Sequence, residues 1–341
     1  MTDSADPARY LLSHQEAERI FTSEIVPSGL LAGGSPQRSP VAVFMLGQPG
    51  SGKSTTMRSV MEHLAPRGGA VELSGDPFKP FHPQWKEFMA RNDTLAGAMT
   101  AADGRRWRTM AQTYLMARRI DLVIETAGRN AAEFDDLAQR AQTAGYRVET
   151  VFLAVPAPVS RLGILDRFND MRKTYGRGRM VTPEMHDSSY LGTQDVAGRI
   201  DTGAAAVGAV HILRRGNHMV YSNERATTGT WTHPPGAGQT LTAERAGWTT
   251  AEAQQFTAAL ERLRGDPGME PWLEELQLFS AQAARLTMRG SEPGQSLGYV
   301  AAARLAGRAF PRPSQAAQQA PQVPQRPPQP PTPNQGRKLG R

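Results

Sequence analysis

The stretch Val41-Ala42-Val43-Phe44-Met45-Leu46-Gly47-Gln48-Pro49-Gly50-Ser51-Gly52-Lys53-Ser54-Thr55 decides the fold. Its apolar run is unbroken and bounded by glycine, the pattern of a strand buried on both faces, as the inner strands of parallel sheets are. Gly47 to Ser54 then match the phosphate-loop pattern Gly-x-x-x-x-Gly-Lys-Ser, and the residues from Ser54 to Leu64 read as the helix that should follow it. The chemistry is anion binding. Glycines let successive backbone N–H groups turn toward one centre, the helix N-terminus adds partial positive charge, and Lys53 neutralises the β- and γ-phosphates of a nucleotide such as ATP. Ser54 supplies a hydroxyl for Mg2+. Gly47, Gln48, Pro49, Gly50, Ser51, Gly52, Lys53, Ser54 and Thr55 form the expected nucleotide-binding segment.

Outward from this loop, short apolar runs recur at 70–73, 122–124 and 148–155, separated by helix-length segments such as 105–119 and 131–144. Strand, helix, strand alternation predicts an α/β fold with a doubly wound parallel sheet of the P-loop kinase-like kind. Residues 209–213 and 218–222 flank Gly216-Asn217, a good turn former, and predict a hairpin at the sheet edge. Ahead of the core, Ser13 and Glu16 have capping-box spacing, and Ala17, Ile20, Phe21 and Ile25 recur at helical intervals, so an N-terminal helix is expected over 13–25. Toward the other end, Thr249 and Glu252 repeat that capping spacing, and 251–264 and 271–288 predict two helices around a Gly-Asp-Pro-Gly break. Beyond Phe310, repeated Pro and Gln bury too little surface to offset ordering entropy, and a disordered tail is expected. The expected organisation is a P-loop kinase-like domain over 1–235, a helical appendage over 236–300 and a basic Pro/Gln-rich tail over 301–341.

Composition bounds the partners. The chain has 341 residues and a net charge of +7. Arg304, Arg308, Arg312, Arg326, Arg337, Lys338 and Arg341 follow Val300 with no acid among them, so the tail alone accounts for that excess. The body is near neutral, and a nucleic-acid partner is not expected. With no cysteine, disulfides and thiolate metal sites are excluded, and the histidines form no close-spaced ligand cluster; any metal is held by oxygen. No run of roughly eighteen apolar residues is present to span a bilayer. The polar start around Asp3, Asp6 and Arg9 lacks the charged-then-apolar order of a secretory signal, so a cytoplasmic, membrane-free protein is expected.

A phosphate loop is shared by kinases, GTPases and motors, and other groups must separate them. No Asn-Lys-x-Asp guanine-reading element occurs. Gly75-Asp76-Pro77-Phe78-Lys79 follows the run ending at Leu73, which puts Asp76 at the carboxyl edge of the sheet, where a carboxylate can accept the proton of an attacking hydroxyl. The alternative is that Asp76 caps the turn before Pro77. Glu125 ends another strand at that edge, suited to acceptor hydroxyls or a metal-bound water, or to capping the following helix. Arg167, in a helical stretch over 161–172, and Arg179, in Tyr175-Gly176-Arg177-Gly178-Arg179, are candidates to close over the phosphates, against the alternative of solvated surface arginines. Three classes stay open on these residues: a kinase of a hydroxyl acceptor, an NTP-hydrolysing switch or remodeller, and a nucleotide-gated interaction module.

Taken together, Gly47 to Lys53, Asp76-Pro-Phe-Lys79 with His82-Pro83, Leu122-Val-Ile-Glu125 with Gly128-Arg129, Ala154-Val-Pro156, Leu162-Gly163, Arg167-Phe168 and Thr182-Pro183 with His186-Asp187 resemble, in order and spacing, the zeta toxin family. These are the kinase halves of bacterial epsilon–zeta toxin–antitoxin systems, and the resemblance runs from about Leu11 to about Glu224. It implies an ATP- and Mg2+-dependent kinase of UDP-N-acetylglucosamine that starves cell-wall synthesis, and an epsilon-like antitoxin as partner. It also implies Asp76 as base, Lys53 as phosphate lysine, Arg167 and Arg179 as clamps, and Glu125, Arg129, Lys79 and His82 as the set that meets the UDP-sugar. The chain departs from the family in reading Glu125-Thr-Ala-Gly-Arg129 for Glu-Gly-Thr-Gly-Arg. It also has one extra residue between Arg179 and Thr182, which makes Arg177 a rival clamp; another nucleotide or small metabolite is the alternative acceptor.

Overall fold

The computed structural model describes residues 7–289 except 75, 92, 177 and 179, and leaves undescribed the side chains of 76 and 93–95. The expected tail over 301–341, the end of the appendage and the two rival clamps Arg177 and Arg179 lie outside the described residues. In chain order the elements are α1 (His14–Ile20), β1 (Val41–Leu46), α2 (Lys53–Leu64), β2 (Val71–Leu73), α3 (Trp85–Arg91), α4 (Asp93–Met99), α5 (Ala101–Met116), β3 (Leu122–Thr126), α6 (Ala131–Thr143), β4 (Arg147–Leu153), α7 (Ala157–Tyr175), α8 (Pro183–Asp201), β5 (Ala209–Arg214), β6 (His218–Glu224), α9 (Ala237–Arg245), β7 (Gly247–Trp248), α10 (Thr250–Arg264), α11 (Leu273–Ala283) and β8 (Thr287–Met288).

The main sheet has the order β2-β3-β1-β4-β5-β6. Every pairing in it is parallel except β5 with β6, the expected edge hairpin. Its central strand shows why the sheet is doubly wound. Val41, Val43 and Met45 face one apolar cluster with Met57, Val60 and Leu64 of α2. Ala42, Phe44 and Leu46 face the other, with Trp107 of α5, Phe134 of α6 and Ile200 of α8. All six are fully buried, so the period-2 alternation of strand side chains supplies two cores rather than a core and a wet face. The strand is also fixed at its entry. The buried Asp121 carboxylate accepts from the Val41 amide at 2.7 Å and from Arg67 Nε at 2.9 Å.

Parallel register then brings functional segments to one edge. Phe44 lies opposite Ile124, and Leu73 is opposite the same Ile124. The loop after β1, the turn holding Asp76 after β2 and Glu125 at the end of β3 therefore leave the sheet on the same side, as the strand ends require.

Several local expectations change in three dimensions. Ser13 does cap α1, accepting from the Glu16 amide at 3.1 Å, but the Glu16 carboxylate binds Arg19, so only half of the capping box forms. At Thr249 both halves form. The helix expected over 271–288 is shorter. Pro271 lies in a 3-10 turn, Pro267–Trp272, and the chain after Ala283 turns to pair β8 with β7. The expected boundary at 235 separates no packing unit, because Ala237 and Leu241 of α9 belong to the main core. α10 and α11 pack outside the main core, with Phe256, Leu260 and Leu276 against Leu162 and Leu165 of α7.

The N-terminal segment is tied to α5 through Trp107, which is fully buried and donates its indole N–H to the Ala17 carbonyl at 2.8 Å. Trp107→Ala should lower stability by about 3–5 kcal/mol in denaturant unfolding. Trp107→Phe, which keeps most of the packing and loses the hydrogen bond, should cost less; equal losses in the two variants would show that the cavity is not the main effect.

Candidate active site

The phosphate loop is formed as its sequence requires. Gly50 has φ 75°, and a Cβ there would stand 2.0 Å from the Ser160 carbonyl of α7. Glycine is thus needed twice at this position, for conformation and for close approach. Gly52 (φ 95°) caps α2, and Ser54 and Thr55 are exposed in that helix's first turn. Ser51 Oγ is buried with no hydrogen-bond partner among the described residues, an orphaned donor inside the loop.

Lys53 is folded back. Its Nζ donates to the carbonyls of Gly47 at 2.6 Å and Gln48 at 3.2 Å, and lies 3.8 Å from Glu125 Oε1. Burial holds its pKa below the ordinary lysine value; Glu125 opposes that shift and the charge of Arg167 adds to it. The three side chains therefore form one electrostatic group, although Arg167 itself is exposed on α7. Glu72 of β2 joins it, a residue that sequence reading passed over. Burial and the nearby Glu125 raise the pKa of Glu72. Its strand register was the available signal, since Glu72 lies opposite Val123, two residues before Glu125 on the same face.

The expected acceptor-side residues are dispersed. Asp76 opens a 3-10 turn, Asp76–Phe81, just past the carboxyl end of β2. Arg129 is exposed in the turn after β3, and Lys79 is buried within the 76–81 turn. His82 is corrected. It is buried, with Nε2 donating to the Tyr10 carbonyl at 3.0 Å and Nδ1 accepting from the Gln84 amide at 3.2 Å. Both ring nitrogens are engaged within the protein, so the side chain ties the N-terminal segment to the wall of the site instead of offering itself to a ligand.

A polar chain beneath the loop is the other feature that sequence reading missed. Gln48 is fully buried, and its amide nitrogen donates to the Val155 carbonyl at 2.8 Å and to Ser160 Oγ at 3.1 Å. Ser160 Oγ lies 2.8 Å from His186 Nε2, and His186 Nδ1 lies 2.8 Å from Asp187 Oδ1, which Arg161 also binds. The donors assign themselves: the serine O–H gives to Nε2, and Nδ1–H gives to the carboxylate. The set has the members of a nucleophilic triad but no access, since Ser160 and His186 are 0% and 1% exposed. It holds Gln48.

Burial lowers the His186 pKa from 6.5, with Asp187 opposing. The neutral ring is what the chain requires, so this contribution to stability is complete above pH 6.5 and is lost as pH falls below that value and through the folded-state pKa. Thermal melts between pH 7.5 and 5 should therefore show stability declining toward acid, and His186→Gln, which keeps an acceptor for Ser160 but cannot charge, should flatten that decline. An unchanged slope in the variant would assign it elsewhere.

A family model described as Zeta toxin matches residues 31–226. Toxin zeta of Enterococcus hirae is 28% identical over 159 residues, covering 46% of this chain and 55% of the relative. Toxin PezT of Streptococcus pneumoniae serotype 4 is 25% identical over 200 residues, covering 58% and 78%. The chain thus spans about half the length of the zeta relative. Among solved structures, a chain from the PezAT chromosomal toxin–antitoxin system of S. pneumoniae superposes with a TM-score of 0.62 at 20% identity, over 79% of this chain and 98% of that one. That likeness is one of fold.

Proposed function

Because the chain belongs to the zeta toxin family, we propose that it is an ATP-dependent kinase that phosphorylates a hydroxyl of UDP-N-acetylglucosamine and blocks cell-wall precursor synthesis. The observation that carries this reading is the shared edge. The phosphate loop after β1, Asp76 after β2 and Glu125 at the end of β3 all lie at the carboxyl side of the sheet, with Lys53 3.8 Å from Glu125. A switch needs no acid after β2, whereas a hydroxyl kinase does.

In this mechanism the nucleotide enters the loop and Lys53 exchanges the carbonyls of Gly47 and Gln48 for phosphate oxygens. Asp76 accepts the acceptor hydroxyl proton as the new O–P bond forms and the bond to the β–γ bridging oxygen breaks, its electron pair leaving with ADP. Arg167 and Arg179 neutralise charge on the transferring group. Glu125 and Arg129, with Lys79 at the wall, orient the UDP-sugar.

The residues present fit a hard cation. The Ser54 hydroxyl and the Glu125 carboxylate are oxygen donors, and the described residues form no cage of three or more His, Cys, Asp or Glu, which suits an ion shared with phosphates. Mg2+ held there supplies charge neutralisation for the phosphates. No described helix is long and apolar enough to cross a membrane, and the reading takes the chain to act in the cytoplasm, beside its UDP-sugar. An epsilon-like antitoxin is the proposed partner, with the segment from Arg9 to Ile25 as a neighbouring surface.

Labelled ATP, Mg2+ and a panel of UDP-sugars, nucleosides and nucleotides, with products identified by mass spectrometry, test the reading. Phosphate should appear on UDP-N-acetylglucosamine; label on a different acceptor would move the substrate while keeping the kinase. Asp76→Ala should slow transfer by about 10²–10⁴-fold, with ATP affinity within about twofold of the parent. Transfer at the parental rate in that variant would remove Asp76 from the role of base.

A further inference from the structure

The family match ends at residue 226, yet a side chain from beyond it reaches the underside of the phosphate loop. α9 is fixed at its start by Asp201 of α8, whose carboxylate accepts from the amides of Ala237 at 2.9 Å and Gly238 at 2.8 Å. At its other end Arg245 turns inward and is 5% exposed. Nη2 donates to Gln48 Oε1 at 3.0 Å and to Thr193 Oγ1 at 2.7 Å, and Nη1 donates to the Tyr190 carbonyl at 2.7 Å. The guanidinium also lies over the Tyr190 ring, 4.1 Å from its centroid.

Among the described residues this arginine has no counterion. Its acceptors there are an amide, a hydroxyl and a carbonyl, and Nε has no partner among them. The adjacent Glu244 turns away, to Arg214 and Arg289. Among the described residues no carboxylate forms an ion pair with it. Burial lowers its pKa to about 10, so it remains charged at neutral pH. A buried cation without an acid is costly unless something anionic compensates it. The group it touches is the second residue of the phosphate loop, and the Gln48 carbonyl is one of the two that Lys53 holds.

We infer that Arg245 is a positioning residue of the nucleotide site: it pins Gln48 from beneath and supplies positive charge that bound polyphosphate balances. The inference rests on the ATP-binding reading above. It makes α9 part of the site and not an appendage to it, with the charge of the bound nucleotide as what Arg245 senses.

Calorimetric titration of AMP, ADP and ATP into the full chain, with thermal melts in parallel, tests this independently of the acceptor. Arg245→Met should weaken ATP binding about tenfold, the loss growing from AMP to ADP to ATP, and Arg245→Lys should recover part of it. A purely structural role would lower the melting temperature without grading affinity by phosphate number. A folded Arg245→Met with parental ATP affinity would overturn the proposal. If that variant does not fold, Arg245→Lys and Thr193→Val carry the test: both should bind ATP more weakly, Thr193→Val by about threefold, and parental affinity in both would overturn it equally. A parental protein that binds no nucleotide would instead remove the functional reading itself, and this inference with it.

Discussion

A central strand buried on both faces is the constraint on which the rest depends. β1 has no wet side on which to slip: a shift of one residue would exchange the Phe44 and Met45 rows between two different cores. The Asp121 carboxylate holds its first amide, and six residues later the chain must turn at Gly47. The position of the phosphate loop is thus a consequence of core packing. The same register carries over to β2 and β3 and brings an acid-bearing turn and a strand-end glutamate to the loop's edge.

The charges at that edge are of both signs and close together. Lys53, buried and held by two loop carbonyls, sits with Glu125 as its acid neighbour. Burial and the charge of Glu125 disfavour ionisation of Glu72, which a cation beside it would relieve. In the proposed reading a polyphosphate with a divalent ion would satisfy both halves of this arrangement. The loop gains anions for its amides and for Lys53, and the acids gain positive charge. Preorganisation of this kind limits the reorganisation needed on binding.

Rigidity beneath the loop comes from polar groups that look functional and serve as support. Ser160, His186 and Asp187 have the distances of a triad, but Ser160 on α7 and His186 on α8 are buried. Their chemistry is spent on fixing Gln48, which the Val155 carbonyl and Arg245 also hold. Such a network is effective because the buried polar atoms of Gln48, Ser160 and His186 are partnered where a missing partner would be costly.

Most of the sheet and the loop could be read from the chain alone. Val41 to Leu46, Gly47 to Ser54 and the hairpin around Gly216-Asn217 are contiguous patterns whose physics is local: side-chain period, backbone conformation and turn chemistry. α8 was not readable as a helix because its inward face is sparse, with Val196, Ala197 and Ile200 as its buried apolar residues. His82 and His186 appeared in one set of motifs; His82 was expected at the UDP-sugar and His186 carried no assigned role, and what engages each ring emerged only from the structure. The link from Gln48 to Arg245 spans 197 residues and exists only because α9 docks on α8. By itself the sequence determined that a glycine-rich loop of the phosphate-loop pattern follows a buried strand, with acids at or just past the ends of the neighbouring strands. Only the tertiary structure decided which polar side chains face a ligand and which brace the loop, because that choice depends on burial by segments distant in the chain.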